Sequence, residues 1–127
     1  MIYRPSPRFY LLKKTHESMR HARIFVGNTF AGLLSEDESG YRFVYDATYR
    51  ERPDARSVSL TLPVQEKAYR SKVLFPFFDG LIPEGWLLEI AEMNWKLNPK
   101  DRMGLLLACC KDCIGAVHVE PVEGDVP

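Results

Sequence analysis

Residues 22–34 read ARIFVGNTFAGLL, and this stretch decides the fold. Two runs rich in β-branched, aromatic and aliphatic side chains flank Gly27-Asn28. Glycine and asparagine tolerate the positive φ of a tight turn, so the stretch predicts a β-hairpin. Side chains alternate across a strand. Ile24 and Val26 therefore share one face, with Arg23 and Phe25 on the other. Downstream, DESG at 37–40 predicts a second turn and YRFVYD at 41–46 a third strand. There Tyr41, Phe43 and Tyr45 alternate with Arg42, Val44 and Asp46.

The polar stretch 47–56 reads as a loop. SVSLTL at 57–62 alternates as a strand should, with Val58, Leu60 and Leu62 inward. Pro63 ends it, because proline donates nothing to a ladder. After residue 73 the period changes. Leu74–Leu81 predicts a short helix with Pro76 in its first turn and Gly80 as its stop. Pro83 opens a second helix, PEGWLLEIAEMNWKL. Asn98-Pro99 opens a third, over 99–110, with Asp101 at its positive end and Met103, Leu106, Leu107 and Cys110 on one face. GAVHVEP then returns to strand, Ala116 and His118 opposite Val117 and Val119. Strands, then helices, then a closing strand describe an α+β domain. Its sheet is mainly antiparallel, about five strands packed with two to three helices.

The chain has 127 residues, enough for one domain with a real core. Residues 1–20 read as an N-terminal arm and 21–127 as the domain. Pro5 and Pro7 oppose regular structure in the arm, and Met19 could be the natural start. The arm holds five basic side chains, Arg4, Arg8, Lys13, Lys14 and Arg20, against Glu17. It is therefore +4 and the remainder −4, since the whole chain is neutral. Zero net charge gives no reason to expect direct nucleic-acid binding. No run approaches the ~18 apolar residues a membrane span needs, and FYLL is too short for a signal-peptide core. A cytoplasmic location is expected. Three clustered cysteines, Cys109, Cys110 and Cys113, agree with that, because an odd cluster makes no disulfide framework.

Little in the sequence speaks for catalysis. The glycines show no G-x-G spacing, and neither G-K-[ST] nor G-x-S-x-G occurs. His16, His21 and His118 are scattered. Cys110-x-x-Cys113 has the spacing of a zinc or redox pair, but no second half-site accompanies it. Buried cysteines at a helix end account for it as well. No cofactor is expected. Asp79 and Glu84 read as helix-terminus charges rather than an acid–base pair.

LFPFFDGLIPEGWLLE at 74–89 raises a different question, because it is apolar yet broken by prolines and glycines. Leu74, Phe75 and Phe78 are expected to join helix to sheet. The breaks hold a bend that presents the remaining apolar residues outward. Trp86 and Trp95 lie nine positions apart, which sets them on opposite helix faces, ~180° apart. Trp86, in a first turn after Gly85, is the one placed to project, and tryptophan is the commonest interface anchor. The expected contact edge is Asp79, Gly80, Leu81, Ile82, Pro83, Glu84, Gly85 and Trp86.

Four stretches in fixed order, VGNTFAGLL, SVSLTLP, LFPFFDGLIPEGW and DRMGLLLACCKDCIGAVHVEP, resemble the N-terminal subdomain of HipA-type toxin kinases. The resemblance spans residues 22–121. It implies a lobe that in those proteins precedes a kinase core, which supplies the phosphate loop, catalytic aspartate and metal ligands. None of those follows before Pro127, so kinase activity is not carried over. A free-standing lobe of this kind resembles HipS-like antitoxins of HipBST systems. That implies an antitoxin that binds a separate HipT-like Ser/Thr kinase toxin by contact and obstructs its active site. A HipB-like DNA-binding protein would join it in a ternary complex. The alternative is a non-inhibitory subunit that stabilises the kinase or bridges it to that DNA-binding partner. A third reading is a metal or thiol protein using Cys110 and Cys113.

Overall fold

The structure, a computed structural model, describes residues 19–85, 100–109 and 116–122. Five strands form one antiparallel sheet: β1 (Arg20–Val26), β2 (Thr29–Asp37), β3 (Gly40–Tyr45), β4 (Tyr69–Ser71) and β5 (Val117–Pro121). Their spatial order is β4-β3-β2-β1-β5, so the closing strand pairs with the first. Among the described residues there are three helices: α1 (Ala47–Arg50), α2 (Pro76–Asp79) and α3 (Arg102–Cys109).

The predicted hairpin is β1–β2, with Gly27 at φ 60 in its turn. A bulge between Ile24 and Phe25 adjusts the register beside that turn. Gly40 opens β3 at φ 133, where a Cβ would also collide with the Ser71 carbonyl. Alternation sends Ala22, Ile24, Leu34, Phe43, Tyr45, Val117 and Val119 into the core. Phe78 of α2 meets Phe43 edge-to-face, ring centroids 5.4 Å apart, which joins helix to sheet as expected. Leu74 and Phe75 are buried in the same cluster.

Four expectations need correction. SVSLTL is not a strand. It folds back on itself, with the Leu62 N–H donating to the Ser59 carbonyl at 3.1 Å. Val58 and Leu62 point inward, but Leu60 sits at the tip and is 100% exposed. The cause is local. Ser59 Oγ takes the Thr61 N–H at 3.1 Å, and Ser57 Oγ takes the Val64 N–H at 3.0 Å. Serine side chains thus compete with ladder bonds. The buried Tyr45 hydroxyl pins both ends, accepting from the Val58 N–H at 2.9 Å and donating to the Leu62 carbonyl.

Second, the polar loop 47–56 begins with α1, because Asp46 caps it through the Tyr49 N–H. Third, β4 was not expected: Tyr69–Ser71 has a single apolar side chain and no readable alternation. Fourth, Arg20 belongs to β1 rather than to the arm and is only 3% exposed. Residues 1–18 and 86–99 lie outside the described residues. With them go the rest of the arm, the helix predicted after Pro83, Trp95 and the Asn98-Pro99 cap. Of the third predicted helix, α3 is described, and Asp101 takes the Gly104 N–H at its start, at 3.2 Å. Leu105 is buried along with Met103, Leu106 and Leu107, so the helix is enclosed on more than one face.

Candidate functional site

The site is the bend that follows α2. Proline at the first helical position has its φ preset, and the Gly80 N–H closes the turn on the Pro76 carbonyl at 2.9 Å. Gly80 stops the helix without entering the left-handed region, at φ −69. The next two N–H groups, of Leu81 and Ile82, fold onto Phe78 and Asp79 carbonyls at 3.0 and 3.2 Å. The chain therefore leaves the core in tight turns rather than as an open loop.

Seven of the eight expected contact residues, 79–85, are described. Gly80, Glu84 and Gly85 are exposed, and Leu81 and Pro83 are half-buried. Ile82 is 8% exposed and part of the core, so its side chain anchors the bend instead of facing outward. Asp79 is held by its own chain: Arg102 Nε donates to Asp79 Oδ1 at 2.6 Å, with both side chains more than a third exposed. Trp86, Cys110 and Cys113 lie outside the described residues.

One position along α3 from this latch sits a cluster that sequence reasoning missed. Arg20 donates to both oxygens of Asp101, at 2.7 and 3.1 Å, and through Nε to Glu36 at 2.7 Å. Burial works against a charged Arg20, but Asp101 and Glu36 outweigh it and raise its pKa. Tyr41 hydrogen-bonds Glu36; burial first, then that carboxylate, hold its hydroxyl above the usual phenol range. The cluster ties β1 and β2 to the start of α3, and Arg102 ties that start to the bend. Arg20 against Glu36 in the hairpin register was a visible signal, since they are cross-strand partners on the inner face. Asp101 was not, because nothing in the sequence brings it to the sheet. Among the described residues no group of three or more His, Cys, Asp or Glu could hold a metal. No described helix is long and apolar enough to cross a membrane. Among its described residues the bend exposes Gly80, Glu84 and Gly85.

Comparison with known proteins bears on the fold and the family. Residues 22–120 match the HipA N-terminal domain family. An uncharacterized protein of Haemophilus influenzae is 32% identical over 102 residues, covering 80% of this chain and 92% of that protein. Among solved structures, the N-terminal domain of HipA toxin superposes with a TM-score of 0.62 at 29% identity. It covers 84% of this chain and 95% of the other.

Proposed function

The chain belongs to the HipA N-terminal domain family, and we propose that it is an antitoxin that binds a separate HipT-like Ser/Thr kinase and neutralises it by contact. The matched subdomain places the protein among HipA-related toxin–antitoxin components. The Haemophilus relative is matched over 92% of its own length, which leaves that protein little room for a further domain. A subdomain of this kind would act on a kinase core carried by another chain by docking on it.

The observation that carries the reading is the bend. Asp79 is latched to Arg102, Ile82 is sunk in the core, and Gly80, Glu84 and Gly85 are exposed between and beyond them. The contact edge is thus Gly80, Leu81, Pro83, Glu84 and Gly85, leading to Trp86 as its anchor. Asp79 and Ile82 hold it in place. A preorganised edge binds with less ordering cost than a loose one. The ring of Trp86 would overhang the kinase's nucleotide cleft, and a HipB-like protein would complete a cytoplasmic ternary complex.

An autophosphorylation assay of the co-purified kinase tests this. The full chain should suppress phosphorylation. Trp86→Ala should keep the fold and lose at least ~2 kcal/mol of binding, about thirtyfold in Kd. Binding without suppression would instead favour a structural subunit that bridges kinase and DNA-binding protein.

A further inference from the structure

The inner face of the sheet is covered by helices and by the folded loop 57–63. The outer face has no described helix packed on it, and its composition is unusual. Phe25, Phe30, Leu33 and Val44 are half-buried there and lie outside the core cluster. Phe25 and Phe30 meet edge-to-face across the hairpin, centroids 5.8 Å apart. Beside this apolar strip, Arg42 of β3 stands directly opposite Arg70 of β4. Like charges facing each other across strands are destabilising. Elsewhere on the same face Arg23 faces Glu120 and is balanced. The carboxylate that senses Arg70, Asp37, is already engaged by the Ser39 N–H and hydroxyl at 2.8 and 2.7 Å. Arg42 Nε is shut off from solvent and finds no hydrogen-bond partner among the described residues. A buried donor without an acceptor carries a real penalty.

We infer that the outer face of the sheet, at Arg42 and Arg70 with Leu33, Val44, Phe25 and Phe30, docks an acidic segment of a partner protein. Carboxylates of that segment would seat on the arginine pair, and its apolar side chains on the strip. Other occupants fit less well. Residues 1–18 carry Arg4, Arg8, Lys13 and Lys14 against Glu17, the same sign as the arginine pair. A second copy would bring its own Arg23, Arg42 and Arg70 against this face, with Glu120 as the acidic residue that the described strands add to it. Nucleic acid would need a broad basic field, whereas the chain as a whole is neutral. This inference does not depend on the kinase reading, because the bend belongs to a different part of the surface.

The test is an amide NMR titration of the full chain with a short peptide of glutamates interspersed with leucines. The lysine counterpart of that peptide and a short oligothymidine serve as further probes. Saturable shifts at Leu33, Arg42, Val44 and Arg70 with the acidic peptide alone support the assignment. Arg42→Glu combined with Arg70→Glu should weaken that binding about tenfold or more. The milder pair Arg42→Gln and Arg70→Gln should weaken it without lowering the thermal unfolding temperature, so a fold defect cannot imitate the result. Shifts confined to other residues, equal response to the lysine peptide, stronger response to oligothymidine, or binding retained by both double variants would overturn it.

Discussion

Asp101 and Arg102 are neighbours at the start of one helix, yet they work in opposite settings. Asp101 faces inward and closes a buried cluster with Arg20 and Glu36. Arg102 faces the surface and holds Asp79 in a pair with side-chain exposures of 36% and 40%. The first joins sheet to helix and secures the fold. The second joins helix to bend at the surface. The same kind of bond is worth very different amounts on the two sides, because water screens one pair and not the other.

The largest expected effect is on the buried side. Arg20→Ala removes the cation shared by buried Glu36 and part-buried Asp101 and should cost about 3–5 kcal/mol in urea unfolding. A loss under about 1 kcal/mol would erase the contrast. Next comes the pinned loop. Tyr45→Phe orphans the Val58 N–H and the Leu62 carbonyl and should cost about 1–3 kcal/mol by the same measurement. Asp79→Asn should shift stability by no more than about 1 kcal/mol. If the latch aims the bend, that variant should still weaken kinase binding measurably. Leu60→Ser should leave stability within about 0.5 kcal/mol, since its side chain is fully exposed. A large loss there would mean the loop packs inward as its alternation suggests.

YRFVYD and SVSLTL show how far sequence reaches. Both alternate, yet only the first is a strand. Phe43 and Tyr45 have the hairpin beside them to complete a ladder. Residues 57–62 have serines that bond their own backbone and a tyrosine that seizes both ends. Alternation reports which side chains are buried, as Val58 and Leu62 are, and not whether a partner strand exists. The hairpin and the proline-opened helix α2 were legible because turn chemistry and proline geometry are local. β4 was not, since three residues next to a preformed edge need little pattern of their own. At the bend, the prolines and glycines showed that the chain must turn. They did not show which way Ile82 faces, and packing sends it inward. The Arg20 cluster was out of reach because one of its three members comes from 81 positions along the chain.

Hydrogen exchange on the chain, free and bound to the proposed kinase partner, tests the central claim most directly. The amides of Gly80, Leu81, Glu84, Gly85 and Trp86 should gain protection in the complex. Unchanged exchange across 80–86, with protection gained elsewhere on the chain, would contradict contact through the bend.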